Sequence, residues 1–200
     1  ARCRPRRVER SVDRQGMEAE VLLLDRDLDR LRFVDQIHRG RIMTLASNRA
    51  AVERAVIDAD LVIGAVLVAG GRAPLLVSED MVRAMRQGSV ILDMAVDQGG
   101  CVETTRETTH DHPVYERHGV LHYAVGNVPG AVPHTSTYAL TNATLPYVVE
   151  VAERGVRAAV EEDPSLLAGV ATVGGALTSA AVADALGRTA VDPLEALSTS

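Results

Sequence analysis

The sequence predicts an α/β fold: an incomplete doubly wound parallel sheet followed by a C-terminal helical segment. Short apolar runs alternate with helix-period stretches from Val21 to Val125. The runs are rich in Val, Leu and Ile, as in strands buried on both faces of a parallel sheet. Aromatic residues are few, with no Trp, one Phe and four Tyr, so the core must be aliphatic. Alternating elements of these lengths imply crossover connections and a parallel sheet.

Val21 to Leu24 reads as a buried strand ending at Asp25. A helix follows, with Leu28, Leu31, Val34 and Ile37 on one face and Gly40 as its stop. Arg41 to Leu45 reads as a second strand. Ala50 to Asp58 reads as a helix capped by Asn48. Asp60 to Val68 (DLVIGAVLV) is the clearest buried strand. After the loop AGGRAP comes a helix capped by Ser78, with Glu79 and Asp80 favouring its positive end and Gly88 ending it. Val90 to Met94 is another strand. A loop of roughly two dozen residues then leads to a last strand, Val120 to Val125. After Pro133 the pattern is mainly helical: Thr137 to Gly155 with Pro146 as a kink, then Glu161 to Gly169 and Ser179 to Leu186. The division read from this is an atypical Arg-rich start over 1–15, a sheet domain over 16–133 and a helical segment over 134–200.

The net charge is −6 and all 21 basic residues are Arg. A mildly acidic chain without a basic stripe argues against nucleic acid as a partner. With no Lys, Schiff-base chemistry is excluded for this sequence alone. Cys3 and Cys101 have no metal-ligand spacing around them, so reduced thiols and a cytoplasmic protein are expected. No run of about 18 apolar residues marks a membrane span, and no apolar stretch follows the first Arg residues as in a signal peptide. The first fifteen residues hold six Arg and no apolar periodicity. They read either as a disordered terminus or as the product of a frame slip or mis-called start.

In open α/β sheets ligands bind at the carboxyl ends of the strands. Asp25 ends the first strand, where an acidic residue can hydrogen-bond ribose hydroxyls and repel the extra phosphate of NADP; the alternative is a surface Asp that starts a helix. A G-x-G-x-x-G loop would stand roughly 20 residues earlier, in the Arg-rich stretch, and is missing from it. In LDMAVDQGGC (Leu92 to Cys101) a strand leads to Asp97, Gln98 and two glycines. Paired glycines permit close backbone approach to a ligand, and a carboxylate there can accept a proton. The alternatives are a plain turn, or Asp93 and Asp97 both structural. In VGNVPGAVPHTSTYALTN (Val125 to Asn142) two prolines fix a rigid exit from the sheet. Asn127 could bond a carboxamide such as nicotinamide, or lie in a linker. His110, His112, His118 and His122 lack a convincing ligand set and read as surface or turn residues, with no metal expected.

Three segments together resemble one family: DLVIGAVLVAGGRAP (Asp60 to Pro74), ILDMAVDQGGCVETTRETTHDHP (Ile91 to Pro113) and VGNVPGAVPHTSTYALTNATLPYV (Val125 to Val148). They are similar to the alanine dehydrogenases, which interconvert L-alanine with pyruvate and ammonia using NAD. The resemblance implies a Rossmann-like NAD-binding domain. It implies that Asp97 is the catalytic Asp and also touches the cofactor, and that Asp25 binds the ribose. Arg30 takes the place of a basic residue, usually Lys, near the adenosine half, and Ser47 matches a Ser near the adenine. Val66 and Leu67 match the wall after the GAVL strand. Met94, Ala95, Val96 and Asp97, with Val125, Gly126, Asn127 and Val128, match the two segments around the nicotinamide. Arg106 matches another cofactor-side residue.

The same resemblance implies a homohexamer. It places the substrate-binding Arg and Lys and a catalytic His in an amino-terminal domain that this sequence does not contain. The implied partners are therefore L-alanine or pyruvate, copies of the same chain, or a separately encoded amino-terminal half. The expectation for the 200 residues alone is weak NAD binding and little or no turnover. The rival readings are a non-catalytic remnant and a transhydrogenase-like nucleotide-binding subunit.

Overall fold

A computed structural model describes residues 19–198. The Arg-rich stretch 1–15, Cys3 and the expected position of the glycine loop lie outside the described residues. The described chain divides into two compact units. One comprises residues 19–68 with Ala73–Gly126; the other comprises Ala69–Arg72 with 127–198.

The first unit carries six strands. Strand β1 (Leu22–Asp25) pairs in parallel with β2 (Met43–Ala46), placing Asp25 opposite Ala46. Strand β3 (Leu61–Gly64) pairs in parallel with β4 (Val90–Asp93), and β4 with β6 (Val120–Tyr123). The hydrogen bonding thus forms two ladders, β1-β2 and β3-β4-β6-β5. Among the described residues, β1 and β3 are each paired along one edge only.

Strand β5 (Val114–Arg117), antiparallel to β6, stands where the sequence predicted only a loop. The connection is His118-Gly119, with φ of 55° and 76°. A two-residue hairpin turn of the mirror-image kind requires positive φ at both positions, and a His-Gly pair supplies it. The predicted strand Asp60 to Val68 is also shorter than expected. Its last rung is the Met94 N–H bonding to the Gly64 carbonyl at 2.7 Å. Beyond that rung its neighbour winds into a short 3-10 turn, Val96–Gln98, and the ladder ends.

Helix α1 (Leu28–His38) buries Leu31 and Val34 and begins on Asp27, whose carboxylate accepts from the Asp29 and Arg30 N–H groups. It ends one residue before the expected glycine, on Arg39 in the left-handed region, followed by Gly40. Helix α2 (Arg49–Asp58) is capped by Asn48 as its sequence predicts, with the Ala51 N–H at 2.9 Å. Helix α3 (Glu79–Ala84) starts on Ser78 and is shorter than predicted. The core joins these layers: Val56 from α2, Met81 and Val82 from α3, Ile91 from β4 and Val120 from β6, with Cys101 and Val102.

Glu79, in the first turn of α3, also ties that helix to the hairpin. Its carboxylate accepts from His118 Nε2 at 2.6 Å and from Arg117 and Arg83 at 3.1 and 3.2 Å. The His118 hydrogen bond and then the Arg117 one hold its pKa down at about 2, against an ordinary 4.5. A depressed carboxylate pKa contributes stability above the unfolded-state value that is lost as pH falls through the folded-state value. The stability advantage over Glu79→Gln should therefore be full above pH 4.5 and fade toward pH 2. Thermal unfolding of both proteins across that window measures it; parallel curves would show that the cluster contributes nothing.

The second unit is mainly helical. Helix α4 (Pro133–Arg154) runs unbroken through Pro146, which has no N–H for the carbonyl four residues earlier. None of its residues is buried; Tyr138, Leu140, Leu145 and Val148 are exposed. The predicted helix Glu161 to Gly169 is two helices, α5 (Val156–Glu162) and α6 (Pro164–Gly169). Pro164 cannot continue the first, and Asp163 caps the second by accepting from the Ser165 N–H at 2.7 Å. A hairpin of β7 (Thr172–Val173) and β8 (Ala176–Leu177) follows. Helix α7 (Ala180–Leu186) is capped by Ser179 and ends at Gly187, and a final helix α8 (Pro193–Ser198) went unpredicted.

Candidate functional site

Parallel pairing brings strand ends to one edge. Gly64 lies opposite Asp93 and Leu92 opposite Tyr123, so the segments after β3, β4 and β6 leave the sheet side by side. Those segments carry Val66 and Leu67, then Met94 to Asp97, then Val125 and Gly126. Ala95, Val96 and Val125 are 3 %, 8 % and 1 % exposed. Their side chains belong to the packing, and contact with a ligand there would be through backbone. Asp97 is exposed and Met94 half-buried.

The turn bearing Asp97 is tied down at several points. Gly99 and Gly100 take φ of 91° and 77°, which permits the tight reversal after Gln98. Gln98 works as a splint: its Nε2 donates to the Val68 carbonyl at 2.8 Å and its Oε1 accepts from the Val68 N–H at 3.2 Å. One side-chain amide thus replaces the strand pairing that β3 loses beyond Gly64. The Gln98 carbonyl accepts from the Ala73 N–H at 2.9 Å.

Gly126 forms the neighbouring strand end. A Cβ added there would meet the Glu107 carboxylate and stand 3.4 Å from Asp97 Oδ1. Glu107 was not singled out from the sequence; only a fold that bridges Thr108 to Val125 brings it here. Arg106, in the same segment, lies over the Tyr115 ring with its guanidinium carbon 4.3 Å from the centroid. The Tyr115 hydroxyl donates to the Thr104 carbonyl at 2.8 Å and accepts from the Arg106 N–H at 2.9 Å, and burial pushes the phenol pKa up.

His122 corrects the reading of the histidines as surface residues: it is 1 % exposed. It lies on β6 between β4 and β5 and stacks on Tyr115, centroids 5.0 Å apart. Its Nδ1–H donates to the Val120 carbonyl at 3.0 Å, since a carbonyl can only accept. The Nε2 atom then accepts from the Thr104 hydroxyl at 2.8 Å. Burial lowers its pKa, which keeps the ring neutral in this role. His110 and His112 are exposed, and His118 occupies the hairpin turn.

At the other ladder, Asp25 is half-buried and accepts from the Asp27 N–H at 3.1 Å. Ser47 follows β2, and its N–H donates to the Asp25 carbonyl at 2.9 Å, so Asp25 and Ser47 are adjacent. Arg30 is mostly buried and paired with Asp27 at 2.9 Å. In the second unit, Asn127 takes a left-handed conformation with φ 49° and heads the short turn Val128–Ala131. Its carbonyl accepts from the Gly130 N–H at 2.8 Å. That unit also has an apolar cleft of about 650 Å³, lined by Tyr147, Val148, Val160 and Leu166 among others; none of the predicted site residues lines it.

The mostly parallel sheet, with acidic side chains at its strand ends, defines a protein of the doubly wound α/β class. Residues 13–180 match the family model described as alanine dehydrogenase/PNT, C-terminal domain, and the chain belongs to that family. It is 53 % identical over 171 residues to an alanine dehydrogenase of Methanococcus maripaludis, covering 85 % of this chain and 46 % of the relative. It is 52 % identical over 173 residues to that of Bacillus subtilis, covering 86 % and 46 %. A solved L-alanine dehydrogenase structure matches with a TM-score of 0.74 and 49 % identity, over 86 % of this chain and 47 % of that one. The chain spans about half the length of the relatives it matches. A transhydrogenase structure from Sinorhizobium meliloti, 22 % identical with a TM-score of 0.56, shares the fold.

Proposed function

We propose that this chain is the cofactor-binding half of an L-alanine dehydrogenase, converting L-alanine, NAD and water to pyruvate, ammonia and NADH. The observation that carries the reading is the exposed Asp97 carboxylate on a splinted turn beside a strand end that has no side chain. Identity of about half to relatives named alanine dehydrogenase supports the chemistry.

The residues fit a dinucleotide. A flat ring would lie at the strand end of Gly126 next to Asp97, where it would displace the Glu107 carboxylate that fills the space a side chain at Gly126 would take. Met94 to Val96 and Val125 would line the nicotinamide half, largely through backbone. Val66 and Leu67 would form the wall, and Arg106 would lie on the cofactor side. Asp25 would bind the adenosine ribose, with Ser47 and Arg30 nearby. The Asp25 charge would select against the extra phosphate of NADP.

When bound, NAD supplies the acceptor for the hydride that leaves the alanine Cα. Asp97 takes up a proton as the substrate amine is deprotonated and orients the reacting carbon. Water then hydrolyses the substrate iminium, releasing pyruvate and ammonia. No helix among the described residues is long and apolar enough to cross a membrane. The protein would then be a cytoplasmic homo-oligomer, a hexamer as in the family.

The test is alanine-dependent NADH formation by the complete enzyme, with calorimetry of NADH binding. Asp25→Ala should weaken NADH binding by about tenfold, the loss of hydrogen bonds to a charged group, and should relax discrimination against NADP. Binding and selectivity equal to the unsubstituted enzyme would remove Asp25 from the site. NADH binding without any alanine-dependent reduction of NAD would remove the assigned reaction.

A further inference from the structure

Asp93, the last residue of β4, is 2 % exposed. A carboxylate this deep is costly unless its oxygens are fully hydrogen-bonded. Its Oδ1 accepts from the Ala95 N–H at 2.9 Å, and its Oδ2 accepts from the Cys101 and Val102 N–H groups at 2.9 and 3.3 Å. The Cys101 thiol reaches Oδ1 at 3.5 Å. These donors flank Asp97 on both sides in sequence. One buried carboxylate therefore closes both ends of the loop that carries the exposed one.

The space around Asp93 is made for it. A Cβ at Gly64, on β3, would stand 3.2 Å from Oδ1 and run into the Cys101 sulfur. A Cβ at Gly100 would stand 3.0 Å from Oδ2. Glycines on two separate elements thus leave room for this group, and two of the three closing amides directly follow the Gly99-Gly100 pair.

We propose that Asp93 is a positioning residue for Asp97: it holds the reacting carboxylate in register by binding both ends of its loop, and it touches no substrate itself. The inference rests on Asp97 being the reacting group. In Asp93→Asn, one oxygen becomes an amide nitrogen turned toward backbone donors, so the loop is freed at one end or the other. A misplacement of about an ångström costs on the order of 10²-fold in rate.

The test is a double-mutant cycle in the complete enzyme. Asp93→Asn should lower kcat about 10²-fold. Placed on Asp97→Asn, the same change should cost no more than about twofold, because the group it positions is gone. The full factor persisting in that background would make Asp93 merely structural and overturn the proposal, as would an unchanged kcat in Asp93→Asn alone. An Asp97→Asn enzyme with undiminished kcat would instead sink the reading of Asp97, and the proposal with it. Should Asp93→Asn fail to fold, deuterium exchange of the unsubstituted protein still decides. The Ala95, Cys101 and Val102 amides should exchange far more slowly than exposed loop amides, and exchange at the loop rate would overturn the clamp.

Discussion

Asp97→Asn in the complete enzyme should lower the kcat for alanine oxidation by about 10²- to 10⁴-fold, the range for removing a positioned general base. The amide is nearly the same size, so the turn held by Gln98 and the two glycines should persist. NADH affinity should then stay within about twofold. The contrast between a collapsed kcat and a preserved Kd separates chemistry from binding, since an interaction made only in the transition state is lost from kcat and kcat/KM alike. A variant that keeps its turnover would move the proton transfer to another group, and Glu107 at the same strand end would be the first to substitute.

The strands of the parallel ladders were legible because burial on both faces leaves continuous aliphatic runs, as in VLLL, LVIG and VILD. Asn48, Ser78 and Ser179 were legible as helix starts because capping chemistry is local. The hairpin of Val114–Arg117 with Val120–Tyr123 was not read, although His118-Gly119 marks it; VYER alone has too little aliphatic character to announce a strand. His122 could not be seen as buried, because its partners Thr104 and Tyr115 lie 18 and 7 residues away and meet it only after the sheet forms. Val66 to Val68 read as strand on composition alone, but pairing needs a neighbour, and the neighbour turns away after Asp93. The placement of Asp25 at the end of β1 and of Asp97 in the turn beyond β4 was legible. Contacts made where a loop folds back, as with Glu107 and the Gln98 splint, were illegible. Asp93 illustrates the limit well: the sequence admitted it as a structural acid, but its role depends on amides up to nine residues downstream.

Gly126→Leu should reduce kcat/KM for both NAD and alanine by on the order of 10²-fold, with Gly126→Ala far milder. The expectation follows from what a side chain would meet. Gly126 is not among the residues with positive φ, so other residues can adopt its backbone without strain. Its N–H bond to the Thr108 carbonyl, 3.3 Å, is a backbone contact that any residue keeps. A Cβ alone would press the flexible end of Glu107 and make ordinary contact, 3.4 Å, with Asp97 Oδ1. Leucine adds three further carbons at the position where the flat ring is proposed to lie. The fold should survive both changes, as unfolding temperatures within a few degrees of the parent would register for a destabilisation under about 1 kcal/mol. Graded loss from Gly to Ala to Leu, read in NADH affinity as well as rate, would locate the ring beside this strand end. A Gly126→Leu enzyme with parental kcat/KM would place the nicotinamide away from this strand end and from the Asp97 carboxylate beside it.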